Sequence, residues 1–354
     1  MARMLYVVDV WGSLSTKRGQ GIHVGTIRKL ESTQRRAAIQ ATGGLHTTPT
    51  NLLFAHVDML PIRELIEAHC HRAATQLATL HPTHLLYKVV HKAAGSYPKK
   101  HLSPLHNILH ASKINPHSIE TIDTCPKHLH WKPPFTSIVP SSKEEATQAD
   151  RDDEADIKIY MDSSGLDKRV GAVAVLYHGF RVPKTAIFHL GNSKEHTVFE
   201  GEGIGQLLGL KLLQNSNRDL NGVEVSICVD SQATIKRHDA RARVAGDYIF
   251  DEIHKVANEI RVSFPNVRLR IRWTPGHVGI QGNEAADAEA KRAADNPNSN
   301  INANFGILRQ RLPVSCSAHL QRLRDTAKVR HVRDFREGPR YQRMVAFDPS
   351  MPSN

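Results

Sequence analysis

The chain has 354 residues, 40% of them hydrophobic and 23% charged, with a formal net charge of +12. That composition supports buried cores and excludes wholesale disorder, and the basic balance favours polyanionic partners, nucleic acid first. Four scattered cysteines, Cys70, Cys125, Cys228 and Cys316, include no C-x-x-C pair, so a zinc knuckle or a disulfide framework is not expected and the four read as free thiols in a reducing compartment.

The apolar run Leu5–Trp11 is broken by Asp9 and is too short for a secretory core. No stretch approaches a membrane span. A soluble intracellular protein is expected, with nucleus and cytoplasm not distinguished and no membrane partner. Residues 1–115 read as helical. Ile27, Leu30, Ala37, Ala38 and Ala41 recur at near-helical spacing until Gly43-Gly44 stops them. Thr50 to His56 predicts a short helix, and Pro61 suits the first position of a third, with Ile62, Leu65, Ile66, Ala73 and Leu77 on one side. His69, Cys70 and His71 are adjacent, so they point to different sides of that helix and cannot share a metal.

Residues 116–155 carry Pro133-Pro134, Pro140, Ser141-Ser142 and an acidic run to Glu154, and read as a linker. Residues 156–294 alternate. Strands are predicted at Ile157–Met161, Gly171–His178, Thr185–Leu190, Val223–Val229 and Val267–Trp273, and helices at Val198–Leu213, Asp247–Phe264 and Asn283–Ala294. Three successive strands followed by alternating helices and strands predict an α/β domain, a mixed sheet flanked by helices and preceded by the helical N-terminal region. Residues 295–354 form a basic tail with one helical stretch near Ala318–Arg336. Counted as Lys and Arg against Asp and Glu, the net charges are +5 for 1–154 (18 against 13), +2 for 155–294 (19 against 17) and +5 for 295–354 (10 against 5). The excess positive charge lies outside the alternating segment.

Two-metal phosphodiester hydrolysis needs several carboxylates at one point, because hard divalent cations take oxygen ligands. Asp162 follows the first strand and Asp230 the fourth, at strand C-termini where open α/β sheets place sites. Glu202 lies in the first turns of the helix after the third strand, and Asp287 in the helix after Gly282. A strand-ending Asp taken singly is more often a turn former or helix cap.

The stretch Trp273-Thr274-Pro275-Gly276-His277-Val278-Gly279-Ile280-Gln281-Gly282-Asn283-Glu284-Ala285-Ala286-Asp287 resembles the final motif of type 1 ribonucleases H in the version found in reverse-transcriptase polyproteins. Tyr160-Met161-Asp162-Ser163-Ser164-Gly165 resembles the first aspartate motif of that family, Thr197 to Glu202 with Leu207-Leu208-Gly209-Leu210 its glutamate helix, and Val229-Asp230-Ser231-Gln232-Ala233 its third motif. The resemblance implies a ribonuclease H-like fold and hydrolysis of the RNA strand of RNA–DNA hybrids with two Mg²⁺, or Mn²⁺. It implies Asp162, Glu202, Asp230 and Asp287 as metal-binding carboxylates, with His277 in a mobile loop moving protons or releasing product.

The pattern departs from the family in two places. Ser163-Ser164 stand where Gly-Ser is usual, and Gly203, Gly205 and Gly209 crowd the glutamate helix. Glycine costs about 1 kcal/mol in a helix relative to alanine, so that helix is either loose or packed very close. Glu200 rivals Glu202, although the spacing to the following leucines favours Glu202. Hybrids are recognised by shape, phosphates and 2′-hydroxyls. Ser163, Ser164, Ser231, Gln232 and Asn283 are therefore candidate contacts, and the basic run Lys236, Arg237, His238, Arg241 and Arg243 reads as either a phosphate-binding patch or a solvated helix face. Trp273 reads as core packing.

The flanks resemble those of non-LTR retrotransposon polyproteins, especially fungal-like ones. Gln34-Arg35-Arg36-Ala37-Ala38, Thr42-Gly43-Gly44, Thr47-Thr48-Pro49-Thr50 and Leu60-Pro61-Ile62 resemble the region between polymerase and ribonuclease H, and Pro339 to Arg343 with Asp348 to Ser353 resembles the segment after it. No Tyr-x-Asp-Asp polymerase signature is present, so polymerase activity is not expected. The rival readings are a decayed remnant that binds nucleic acid but cuts poorly, and another nuclease on the same scaffold, an exonuclease or an integrase.

Overall fold

The structure is a computed structural model that describes residues 8, 24–96, 103–179, 181–216, 218–338, 340–347 and 349. The Leu5–Trp11 run, save Val8, and most of the closing Asp348–Ser353 motif lie outside the described residues. The chain divides into two compact units, residues 1–119 with 319–354, and residues 120–318.

The first unit is helical. It holds α1 (Val24–Thr42), α2 (Thr50–His56), α3 (Ile62–Ala78), α4 (Tyr87–Gly95) and α5 (Pro104–Ser112). To these it adds the part of α11 (Cys316–Arg336) beyond residue 318, and α12 (Tyr341–Phe347). Pro61 caps α3 from outside in an extended conformation rather than occupying its first position. Ala38, Leu53 and Phe54 form one small core, and Ala55 with Phe335 another. Arg35 ties α1 to the turn ahead of α2 by donating to Thr50 Oγ1 and to the carbonyls of His46 and Thr48, each at 2.7 Å. The basic stretch expected as a helix is α11.

The second unit is the α/β structure. Along the chain it runs β1 (Thr136–Ile138), α6 (Lys143–Arg151), β2 (Ile157–Leu166), β3 (Arg169–His178), β4 (Lys184–Asn192), α7 (Val198–Gln214), β5 (Glu224–Val229), α8 (Gln232–Asp239), α9 (Asp247–Ser263), β6 (Arg268–Trp273) and α10 (Gln281–Asp295). The sheet has the order β1-β6-β5-β2-β3-β4. β2, β3 and β4 are antiparallel neighbours, whereas β2, β5, β6 and β1 are parallel. The expected class, a mixed sheet flanked by helices and preceded by a helical region, is therefore present. Asp167 and Lys168 both adopt left-handed backbone between β2 and β3, the geometry of a two-residue hairpin turn that matches strand twist.

Both faces of the sheet are buried. Ile157, Ile159 and Met161 of β2 pack with α7 and α9 on one side, while Tyr160 and Val173 pack with α10 on the other. The alanines Ala286, Ala290 and Ala293 let α10 lie close, and a Cβ on Gly171 of β3 would come within 2.3 Å of the α10 backbone.

The stretch read as a linker departs from that reading. Thr136 to Ile138 pairs in parallel with Arg270 to Arg272 as an edge strand, and Ser142 caps α6 by accepting from the Glu145 amide at 3.1 Å. Buried Asp150, at the end of α6, accepts from Tyr160 Oη at 3.1 Å and pairs with Arg272. Earlier still, Glu120 accepts from the amides of Gly246 (2.6 Å) and Cys316 (2.7 Å). Apart from Glu145 and Tyr160, these partners lie more than a hundred residues along the chain, so composition alone shows only a polar segment.

Candidate active site

Register places two carboxylates side by side. β2 and β5 are parallel with Met161 opposite Val229, so the next residues, Asp162 and Asp230, stand at neighbouring positions where that pairing ends, while β2 runs on beside β3 with Asp162 opposite Val173. α7 crosses this end of the sheet and adds Glu202. One carboxylate oxygen from each of Asp162, Glu202 and Asp230 lies within 4.8 Å of the others.

Close packing brings α7 there. A Cβ on Gly201 would come within 2.7 Å of Ser163 Cβ, one on Gly205 within 3.1 Å of the Val173 carbonyl, and one on Gly209 within 2.9 Å of Ile159 Cγ2. A Cβ on Gly203 would meet Ile249 Cγ2 at 3.0 Å. Between the two sequence alternatives, a loose helix and a closely packed one, the structure shows the second.

The rival glutamates separate. Glu200 forms the capping box of α7, accepting from the Thr197 amide at 2.7 Å while Thr197 Oγ1 accepts from the Glu200 amide at 3.2 Å. Glu202, two residues on, faces the aspartates. Its Oε1 lies 2.6 Å from Ser163 Oγ, and its Oε2 is buried with no hydrogen-bond partner.

Burial and like charge both disfavour ionisation here. Burial, then Asp230 and Asp287, raise the Asp162 carboxyl to about 7. Burial and Asp230 push Glu202 well above the usual carboxylate range, and burial also raises Asp230. No ion pair to Lys or Arg engages any of the three among the described residues. Three converging carboxylates with an unpartnered buried oxygen and no paired cation are a donor set that fits a hard divalent ion such as Mg²⁺ or Mn²⁺.

Asp287 and His277 stand at the rim. Asp287 is half-buried on α10 and paired with Lys291 at 2.6 Å, and its charge reaches both Asp162 and Asp230 without joining the close group. His277 is exposed in left-handed backbone between Gly276 and Gly279, and its charge favours ionised Asp230. Trp273, expected as core packing, does pack against the core and also donates its indole N–H to the Asp230 carbonyl at 2.9 Å.

The expected substrate contacts fall into three groups. Ser164, Ser231 and Gln232 are half-buried near the carboxylates in sequence, and Lys236 is exposed. Ser163 turns its hydroxyl to Glu202, a role that no sequence pattern signalled. Arg237 and Asn283 are both buried. Arg237 donates to Asp247 Oδ1 at 2.7 Å and Oδ2 at 2.9 Å, and also binds the Ala242 carbonyl. Asn283 lies in the first turn of α10 with its Oδ1 unpartnered. The basic run is neither a phosphate patch nor a solvated face as a whole. His238 is buried between His254 (2.9 Å) and Gln206 (2.7 Å), and Arg243 pairs with Asp251 at 2.7 Å.

Cys125, Cys228 and Cys316 are free, no helix among the described residues is long and apolar enough to cross a membrane, and the close carboxylates form the one metal-capable group found among those residues.

No protein-family model matches the chain, and no curated protein matches it. Solved structures do. Ribonuclease H1 from the halophilic archaeon Halobacterium salinarum NRC-1 is 19% identical over 39% of this chain and 97% of its own, with a TM-score of 0.30. LC11-RNase H1, solved in complex with RNA/DNA hybrid, is 18% identical over 39% of this chain and 96% of its own, at 0.31. LC9-RNase H1, a type 1 enzyme with the type 2 active-site motif, is 16% identical over 39% of this chain and 72% of its own, at 0.30.

Proposed function

We propose that the 120–318 unit hydrolyses the RNA strand of RNA–DNA hybrids, in a chain descended from a non-LTR retrotransposon. The observation that carries this reading is the convergence of Asp162, Glu202 and Asp230 where the central strands β2 and β5 cease to pair, with Glu202 Oε2 buried and unpartnered. Bound there, divalent cations supply the Lewis acidity and charge compensation that phosphodiester hydrolysis needs.

The chain's own residues do the rest. Ser163 holds one oxygen of Glu202 and leaves the other free to bind. The indole of Trp273 holds the backbone at Asp230. Asp287 adds negative charge at the rim, and the His277 imidazole, in a loop with glycines on both sides, is placed to act as a general acid or base. The glycines of α7 favour this reading over a decayed remnant, since a Cβ on Gly201 or Gly209 would meet a neighbour under 3.0 Å away and one on Gly203 or Gly205 a neighbour at 3.0–3.1 Å.

The test is cleavage of a labelled hybrid by the purified chain with Mg²⁺ and with chelator. Metal-dependent cutting confined to the RNA strand is expected. Asp230→Asn should lower the rate by about 10²–10³-fold, the usual cost of removing one charge-stabilising group, with hybrid binding retained. A folded chain that binds hybrid yet cuts with neither Mg²⁺ nor Mn²⁺ sinks the proposal and leaves a binding remnant. Cutting of double-stranded DNA instead would point to another nuclease.

A further inference from the structure

The two compact units divide the charge very unequally. Residues 1–119 with 319–354 hold 22 Lys and Arg against 9 Asp and Glu, a net +13. Residues 120–318 hold 25 against 26, a net −1. The whole positive excess of the chain therefore belongs to the helical unit.

Within that unit the acids are largely consumed locally. Glu31 pairs with Arg63 at 2.9 Å, Glu67 with Arg330 at 2.7 Å and Asp334 with Arg333 at 3.1 Å, while Glu64 is buried. Many cations are left over. Arg28 and Arg36 on α1, Lys88 and Lys92 on α4, and Lys328 and Arg336 on α11 are exposed and make no ion pair among the described residues. Side chains kept in water without a partner contribute little to stability, yet together they set a strong positive field.

We propose that the helical unit is the electrostatic anchor for nucleic acid, gripping the sugar–phosphate backbone of the RNA–DNA hybrid through these unpaired cations. The catalytic candidate cannot supply that attraction, because its net charge is close to zero and its functional end concentrates carboxylates. A polyanion is drawn to the chain by one unit and met chemically by the other. This rests on the hybrid as the substrate proposed above, but its test does not depend on cutting.

The experiment is fluorescence anisotropy of the full chain with labelled hybrid, in chelator, across about 50 to 200 mM salt. Two quadruple variants are compared. One combines Lys88→Gln, Lys92→Gln, Lys328→Gln and Arg336→Gln in the helical unit. The other combines Arg181→Gln, Lys184→Gln, Lys194→Gln and Arg261→Gln at exposed positions of the 120–318 unit. Each phosphate contact contributes about 0.9 to the slope of log affinity against log salt. The first variant should lose about one unit of slope per lost contact and at least about tenfold in affinity, whereas the second stays close to the unmodified chain. Far-ultraviolet circular dichroism and the urea midpoint check that both remain folded.

Equal losses in the two variants, or none in the first, overturn the proposal. So does binding to anionic phospholipid vesicles with no affinity for hybrid. A chain that binds through the helical unit but never cuts upholds the anchor and removes the enzymatic reading. One that cuts without needing these cations does the reverse.

Discussion

At the residue scale, the decisive distinctions are between neighbours. Glu200 and Glu202 are two positions apart, yet one caps a helix and the other faces two aspartates. The first role was legible, because Thr197-x-x-Glu200 is the capping-box signature. The second needed the strand register. Arg237 shows the opposite case. A charge pattern cannot tell an exposed cation from one forked onto a buried carboxylate ten residues later. Removing one partner of a buried pair leaves the other uncompensated, at a cost of about 3–5 kcal/mol. Arg237→Ala should therefore lower the urea midpoint, since buried Asp247 would keep only Arg243 at 3.8 Å as a charged partner. A variant of unchanged stability that bound hybrid more weakly would return Arg237 to the substrate surface.

At the element scale, α7 is the informative case. Helix propensity alone says that replacing a glycine with alanine in a helix gains up to about 1 kcal/mol. The structure reverses the sign for Gly201. A new methyl there meets Ser163 Cβ at 2.7 Å and Val170 Cγ1 at 3.2 Å, and overpacking of this kind costs about 1–3 kcal/mol. Gly201→Ala should destabilise the chain, shift Glu202 away from Ser163 and reduce activity. Chemical denaturation that showed the variant to be more stable would mean that α7 is a loose helix after all. The strands around the site were readable from apolar runs bounded by turn residues. β1 and α6 were not, since β1 is three residues long with a partner far along the chain, and α6 buries little besides Ala146 and Asp150. The cap Ser142-x-x-Glu145 was the one local sign of α6.

At the scale of the whole molecule, the carboxylate cluster links stability to pH and metal. Asp162 has its folded value raised to about 7, chiefly by burial and then by Asp230. The folded chain thus holds that proton more tightly than the unfolded chain does. The sign follows: the contribution is favourable at low pH and is lost as pH rises from about 4 through about 7. The metal-free chain should have a lower Tm at pH 8 than at pH 5 on this account. Mg²⁺ or Mn²⁺ should raise the Tm at pH 8 by several degrees, since a ligand at a hundred times its Kd adds about 2.7 kcal/mol, and by much less at pH 5, where protons compete. Scanning calorimetry with and without metal checks this. A Tm indifferent to divalent ions at pH 8, or equally raised in Asp230→Asn, would show that the cluster holds no cation.

The amino-acid sequence by itself determined the α/β class, the existence of the main strands and helices, and Asp162, Glu202 and Asp230 as candidates, because hydrophobic period, caps and short motifs are local properties. Only the tertiary structure decided which glutamate joins the aspartates, why α7 tolerates its glycines, that Arg237 and Asn283 are interior, and that residues 120–155 build part of the α/β unit. It also decided where the charge lies. Counted along the chain, the excess was split between two flanks and a centre. Folding returns the C-terminal helices to the N-terminal ones and takes the acidic segment before β2 into the α/β unit, so one unit holds all the excess. Close packing, burial and summed charge depend on which distant segments meet, and that information is held by contacts across the fold and by no single stretch of sequence.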